Sequence, residues 1–582
     1  MFNARCSALV LCVLLAGLAA CQSEPPREAS EVVEASIQVN QLGYPPQAVK
    51  EATVPAGFGD TFEVVEQGSG RTAYSGALSA AERWPHSGES VRRADFSELT
   101  QPGHYRLRVP GLEESRAFLI DGSVYASLND AAVKAYYFNR ASMALEEERA
   151  GVYARALGHP DEQVEIHRSA ASAERPEGTT LASPRGWYDA GDYNKYIVNS
   201  GISTYTLLAA YEHFPRYYQG RELNIPESGD AVPDLLNEVM WNLSWMLTMQ
   251  DPNDGGVYHK LTTKRFSDKV MPDQATAQRY FVKKGTAAAL NFAAVMAVAS
   301  RVYADYDTAY PDFSDIARTA AVAAWEWAKA NPEVIYRNPE DIHTGEYGDE
   351  EFHDEFAWAA AELYLTTGEP KYWEAIAPTP VENRVPNWAD SSGLAWLSLA
   401  EHRASLPEAA QALVAERVKS LGDELYHEWR RSAAGVPMRA EDFVWGSNGV
   451  AMNSAMMLIA AYRLTDNENY LAAAQSLMDY VLGRNPTGYS YVTGYGAKTP
   501  MHIHHRPSAA DGIEAPVPGF LAGGPHSGQQ DAGDCPVAYP SDKPAKSYLD
   551  HWCSYASNEV TINWNAPLIY VSGALQVLYE ED

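Results

Sequence analysis

The chain has 582 residues, of which 46% are hydrophobic and 21% charged, with a formal net charge of −31 at pH 7. That length exceeds one ordinary domain and the composition is globular, so two folded units with a large core are expected. The charge excludes a nucleic-acid partner, which needs clustered Lys and Arg, and suits neutral or cationic ligands.

Tyr (35) and Trp (14) together far outnumber Phe (15). Such rings offer a flat apolar face with a polar edge, which serves a sugar ligand as well as the rim of a helical core.

The N-terminus has one basic residue, Arg5, followed by an apolar run from Ala8 to Ala20. The run is short for a membrane span and has the shape of a secretion signal. It ends in Leu18-Ala19-Ala20-Cys21, which resembles a bacterial lipobox, so residues 1–21 are expected to be a lipoprotein signal peptide with Cys21 lipidated. The alternative is a plain signal peptide with an incidental cysteine. Residues 22–36, "QSEPPREASEVVEAS", are polar and suit a flexible tether. The expected location is therefore an exported bacterial lipoprotein at the cell envelope or surface, held to the membrane through its lipid alone. No second apolar run of about twenty residues is evident downstream.

Residues 37–122 have a β rhythm. "SIQVNQLGY" and "HYRLRVPG" alternate apolar and polar residues, and turn signals such as "EQGSGR" and "TQPGHY" separate the runs. A small immunoglobulin-like β-sandwich is expected there. From residue 123 to 582 the pattern becomes helical, with about twelve segments such as "GISTYTLLAAYEHF", "GTAAALNFAAVMAVASRVYADY" and "VAMNSAMMLIAAYRLT". Many carry apolar residues at i, i+3, i+4 and i+7, and Ala-rich segments suit a ring packed inside a ring. The fold class is thus multidomain: an N-terminal immunoglobulin-like β-sandwich, then an all-α (α/α)6 barrel.

Three stretches carry chemistry. In "GWYDAGDYNKYIVNSG", Asp189 and Asp192 are separated by small residues and can hold one water, one accepting its proton and the other orienting it. An acidic helix-capping turn is the simpler account of the same letters. In "SYASNEVTINWNAP", Glu559 precedes an apolar helix, where it either caps the helix or is desolvated enough to act as an acid. In "MHIHHRPSAADG", His504 and Arg506 suit hydrogen bonding to sugar hydroxyls better than a metal, and a polar surface loop is the alternative. Outside the signal region only Cys535 and Cys553 remain, and a bridge between them is expected in an exported protein, two free buried thiols being the alternative.

Together these stretches have the makings of two-carboxylate glycoside hydrolysis. From "QVNQLGY" (Gln38 to Tyr44) to the last helix the chain closely resembles glycoside hydrolase family 9 (cellulase family E), in the branch with an N-terminal immunoglobulin-like domain. "SYVTGYGAKTPMHIHHR" and "YLDHWCSYASNEVTINWNA" fit the family's His-Arg and acid signatures. The resemblance implies an inverting endo-β-1,4-glucanase acting on cellulose or a related β-glucan. It implies Asp192 as general base, Asp189 as water holder and Glu559 as general acid, with His504 and Arg506 on the sugar. Tyr555 and Trp445 would be cleft aromatics. No cofactor is implied for catalysis. Asp354, Glu355 and Asp390 resemble a structural calcium site. Relatives with the extra β-domain carry a zinc site, but Ala141 and Gly158 stand where its cysteines would be, leaving His159 and His167, so zinc is not expected.

Two other functions share these features. An exo-acting cellodextrinase or exo-glucosaminidase would differ by loops closing one end of the cleft. A glycan-binding lipoprotein would have lost catalysis, which the intact carboxylates argue against.

Overall fold

The computed structural model describes residues 36–376 and 380–580. The signal peptide, Cys21 and residues 22–35 of the tether lie outside the described residues.

Eight strands build the N-terminal sandwich: β1 (Gly43–Tyr44), β2 (Glu51–Pro55), β3 (Thr61–Glu66), β4 (Thr72–Ala77), β5 (Glu82–Trp84), β6 (Glu89–Asp95), β7 (Gly103–Arg108) and β8 (Phe118–Ile120). They form two sheets, β1-β8-β7-β3-β4 and β2-β6-β5. Alternation supplies the core: Phe62 and Val64 of β3 point inward, as do Tyr105 and Leu107 of β7. Tyr44 closes the core edge-on against Phe96 and Phe118, at 5.3 and 5.5 Å between ring centroids.

Among the described residues twelve α-helices of seven or more residues follow, with four shorter ones between them: α1 (Ala126–Phe138), α2 (Ile197–His213), α3 (Asp234–Thr248), α4 (Thr286–Tyr303), α5 (Phe313–Ala330), α6 (His353–Thr367), α7 (Pro370–Ile376), α8 (Ser392–Glu401), α9 (Glu408–Arg431), α10 (Ser447–Thr465), α11 (Glu468–Val481) and α12 (Ile562–Leu578). The even-numbered helices pack in sequence, and α12 returns to pack on α2, which closes a ring of six. The odd-numbered helices lie outside, each against an inner neighbour.

Composition decides which helix goes where. Every residue of α4 except Arg301 is buried, because Ala, Val and Met on all sides let it pack against both ring neighbours and α5. Outer helix α5 buries only a stripe, Phe313, Ala317, Ala320, Ala321, Ala324, Trp325 and Ala328, and leaves Asp315, Arg318 and Glu326 in water. The segment Thr286–Tyr306 is long and apolar enough to cross a membrane by composition, contrary to the expectation of no second run. Its surface is taken up by the barrel interior instead.

Five short strands join the barrel's loops: β9 (Val164–Ile166), β10 (Thr180–Leu181), β11 (Lys195–Tyr196), β12 (Lys260–Thr262) and β13 (Tyr280–Phe281), ordered β10-β9-β13-β12-β11. β11 runs straight into α2.

Candidate active site

Each inner helix is preceded by a segment that delivers part of one site. Asp189 and Asp192 precede α2, Lys260 precedes α4, Tyr347 precedes α6, Trp388 precedes α8, Trp445 precedes α10, and His504, Arg506 and Glu559 precede α12.

The two aspartates are held by side chains, not by a helix end. Asp189 accepts from Asn199 Nδ2 on Oδ1 (2.7 Å) and from the Tyr347 hydroxyl on Oδ2 (2.7 Å). Asp192 receives both of its hydrogen bonds on Oδ2, from Asn194 Nδ2 (2.5 Å) and the Tyr196 hydroxyl (2.9 Å). Its Oδ1 has no hydrogen-bond partner among the described residues, so one lone-pair face stays free for a ligand or water. Helix α2 has no side-chain cap, which rules out the capping account of this acidic turn. Burial and the neighbouring Asp192 charge push Asp189 upward, while its two hydrogen bonds pull the other way.

The acid side is stitched directly to the base side. Ile562 N donates to Asp189 O (2.9 Å), and the Thr561 hydroxyl donates to the same carbonyl (3.0 Å). Glu559 lies in extended backbone three residues before α12, outside the helix it was positioned to cap. Its Oε1 accepts from Gly191 N (3.3 Å), between the two aspartates in sequence. Burial raises its carboxyl to about 8, and the Asp192 and Asp189 charges add to the shift. Burial thus favours the protonated form of Glu559, and it acts in the same direction on Asp189. Gly191 makes this approach feasible, since a Cβ there would stand 2.3 Å from His504 O and 3.1 Å from Glu559 Oε1.

The His-Arg loop lines the same space. His504 N donates to Asn558 O (2.9 Å), and Asp550 ties the loop down by accepting from Met501 N and His502 N (both 2.9 Å). His504 stacks on Trp552 at 4.3 Å, and its Nδ1 faces Trp552 O at 2.8 Å. That bond assigns the proton to Nδ1 and leaves Nε2 as an acceptor. Burial brings the ring's pKa down to about 4, so it is neutral. Arg506 does something the sequence did not indicate: Nη1 donates to Gly191 O (2.6 Å) and Nε to Ser267 O (3.0 Å), clamping the loop of the base. Tyr555 and Trp445 face each other at 5.4 Å, with Trp445 42% exposed, which makes an open aromatic wall.

Cys535 and Cys553 form a disulfide. The three residues expected to bind calcium do not converge as a set. Asp390 accepts from Ser392 N and Oγ at the start of α8 and lies 3.6 Å from Arg384. Among the described residues no group of three or more His, Cys, Asp or Glu is poised as a metal site. Asp354 and Glu355 still fit a hard cation. Both Glu355 oxygens are buried without a hydrogen-bond partner, and its carboxyl is raised well above its usual range by burial and the nearby Asp354 and Asp349. Calcium there would add oxygen-ligand neutralisation and hold the start of α6. His159 is turned to the Tyr188 hydroxyl (2.8 Å), and His167 to Ser169 (2.9 Å) and Asp341 (3.2 Å), in separate places.

Sequence reasoning missed Tyr347, Trp388 and Trp552. Trp552 stood inside a quoted signature. Tyr347 lies 158 residues from Asp189, and no local pattern marks it.

Residues 125–572 match the glycosyl hydrolase family 9 profile, and residues 33–114 match the cellulase N-terminal immunoglobulin-like domain. The chain is 45% identical to a xyloglucan-specific endo-β-1,4-glucanase of Bacteroides ovatus, covering 97% of each chain. It is 32% identical to endoglucanase D of Acetivibrio thermocellus, covering 92% of this chain and 83% of that one. A solved family 9 structure from Bacteroides ovatus superposes with a TM-score of 0.88 at 43% identity, covering 94% of this chain and 99% of the other. With the profile, the full-length relatives and the ring of twelve helices in agreement, the chain belongs to glycosyl hydrolase family 9, as a glycoside hydrolase with an immunoglobulin-like domain ahead of its barrel.

Proposed function

We propose that the chain is an inverting endo-β-1,4-glucanase in which Asp192 is the general base, Asp189 holds the water and Glu559 is the general acid. The observation that carries this is the asymmetry of the carboxyls. Glu559 is buried with a single backbone donor, Gly191 N at 3.3 Å, which favours its neutral form, whereas Asp192 has one oxygen engaged by two donors and the other free. Water held by the aspartates gives a proton to Asp192 Oδ1 and attacks the anomeric carbon. Glu559 gives its proton to the departing glycosidic oxygen, and the anomeric configuration inverts. His504 Nε2 accepts from a sugar hydroxyl, and Tyr555 and Trp445 supply the stacking wall.

The substrate follows from the 45% identical relative, which is xyloglucan-specific by name: a soluble β-1,4-glucan backbone, with xyloglucan first. Purified enzyme is to be assayed on xyloglucan, carboxymethylcellulose, cello-oligosaccharides and chito-oligosaccharides, with the anomer of the first product followed by NMR. Asp192→Asn and Glu559→Gln are expected to lose about 10³-fold or more in kcat while keeping the parent's melting temperature. Full activity in either variant, or a retained anomer, sinks the role assignment.

We also propose that Cys21 carries a lipid anchor. Its replacement by Ser should release activity from the membrane fraction, and unchanged fractionation would refute this.

A further inference from the structure

Lys260 is a buried cation that the hydrolysis as written does not use. Its residue is 0% exposed, and all three ammonium protons go to neutral acceptors: Asn338 Oδ1 (2.8 Å), Thr344 Oγ1 (2.9 Å) and Gly345 O (2.5 Å). No carboxylate lies within ion-pair distance of it among the described residues. A buried charge without a counter-ion is expensive, so its compensation has to come through space or through polarised neighbours.

Both routes lead to one atom. Lys260 on β12 stands directly opposite Tyr196 on β11, with Nζ 5.4 Å from the centre of the Tyr196 ring. The hydroxyl of that ring donates to Asp192 Oδ2. In parallel, Thr344 Oγ1 meets Thr262 Oγ1 at 2.7 Å, Thr262 Oγ1 reaches Asn194 Oδ1 at 3.2 Å, and Asn194 Nδ2 donates to Asp192 Oδ2. Oriented from the ammonium outward, these links can donate toward the carboxylate, with the single Thr262 proton divided between Asn194 Oδ1 and the nearer Thr263 O (2.8 Å), so the Tyr196 path is the direct one. The two donors on Asp192 are thus the ends of two paths that begin at Lys260.

We propose that Lys260 is a positioning residue for the glucanase reaction, a polarising cation behind Asp192 that holds its charge on Oδ2 and so reserves Oδ1 for the water. A cation at the origin of both paths strengthens each donor along them. It also offsets the repulsion between the Asp189 and Asp192 carboxylates. The other groups around this cation are Glu346, whose Oε2 is engaged by Asn338 N, the Tyr336 ring, and Lys283 beyond that ring. His259, stacked on Tyr336, is neutral because burial lowers it to about 3. Tyr347 faces Asp189 and Arg506 faces Glu559, and neither contacts the ammonium. Burial brings Lys260 itself down to about 7, against the pull of Asp192 and Glu346.

The proposal rests on Asp192 being the base, and its test separates the two claims. The pH profile of kcat/KM on xyloglucan is to be measured for the parent, Lys260→Met and Lys260→Arg, with Thr262→Val to cut one path while keeping the charge. A surface charge control is Lys329→Met. Without the cation the ionised base is less favoured, so the acid limb of the Lys260→Met profile should move to higher pH by roughly 0.5–1 unit. KM should stay near the parent's while kcat falls about tenfold at the old optimum. Lys260→Arg should restore the limb, Thr262→Val should shift it part of the way, and Lys329→Met should not move it. Thermal unfolding of each variant identifies any that fail to fold. If Lys260→Met does not fold, Thr262→Val decides alone: an unmoved limb overturns the proposal. An unmoved limb in a folded Lys260→Met overturns it too, as does equal kcat loss in the Met and Arg variants, which would mean packing alone. Full activity in Asp192→Asn would instead overturn the base assignment.

Discussion

At Gly191 one missing side chain lets three catalytic elements meet. Its amide reaches Glu559, its carbonyl is clamped by Arg506, and the position of its absent Cβ is occupied by the His504 backbone. Gly191→Ala should therefore separate the acid from the base loop. Its expected effect is a loss of at least about 100-fold in kcat with a modest drop in melting temperature, because a sub-ångström misplacement of reacting groups costs rate before it costs fold. Activity within a factor of two of the parent would show that the loop can move freely. The raised carboxyl of Glu559 sets a second expectation at this scale. An acid must be protonated to act, so kcat/KM should fall as pH rises through about 8, with a single-proton slope. Measuring the basic limb in Glu559→Asp, where the carboxyl is drawn back from Gly191, checks that it belongs to this residue.

The elements show how far the letters alone could reach. The twelve helices were legible because the apolar period of 3.6 is strong, and the β-sandwich because alternation and turns were clear. Asp189, Asp192 and Glu559 were legible as motif members, but the partners that give them different jobs were not. Asn194 and Tyr196 follow Asp192 at two and four residues, where the chain leaves a bend for β11, and only the fold shows that both turn back to its Oδ2. Tyr347, Trp388 and Lys260 come from other lead-in segments, and only ring closure places them beside the aspartates. The calcium expectation was half legible: the start of α6 keeps Glu355 buried and unpartnered, while Asp390 is engaged by Ser392 at the start of α8. Chelation should accordingly lower the melting temperature by several degrees, and added Ca²⁺ should restore it, because a cation bound only by the folded state stabilises by mass action. Metal analysis of the purified protein checks occupancy. An identical melting curve with chelator and with millimolar Ca²⁺ would leave Glu355 as a buried neutral acid.

In the whole molecule the β-sandwich is wired to the catalytic loops. Gln41 receives Ala497 N and Lys498 N on its side-chain oxygen (2.9 and 3.0 Å) and donates to Gly488 O (2.9 Å), in the segment that leads to His504. His86 packs on Phe443, two residues before Trp445, and its carbonyl accepts from Ala545 N. Gln41→Ala should lower both melting temperature and kcat, though Gln41 touches no substrate, and an unchanged kcat would show that the loop holds itself. Asp479 lies at this junction, bonded to Asn40 (2.9 Å) and Gln475 (2.7 Å) and raised to about 7 by burial. The folded state keeps its proton where the unfolded chain has lost it. Its stabilising contribution is therefore complete below about pH 4 and is lost as pH rises toward 7, at about 1.4 kcal/mol per pH unit. Denaturant titrations of Asp479→Asn across that window should show a flatter dependence than the parent.

The closure of α12 on α2 also has a temporal meaning. The loop of Asp189 and Asp192 emerges from the ribosome long before Glu559, more than 360 residues further along, and before α12, which starts three residues after Glu559. A nascent or truncated chain lacking α12 has an open ring, loses the Ile562 amide that ties this helix to Asp189, and leaves Glu559 on an unanchored end. The two halves of the site therefore meet only after α12 has been made and has closed the ring. Proteolytic removal of the final helix would reopen the ring in one cut, while leaving the other eleven helices and Glu559 in the chain.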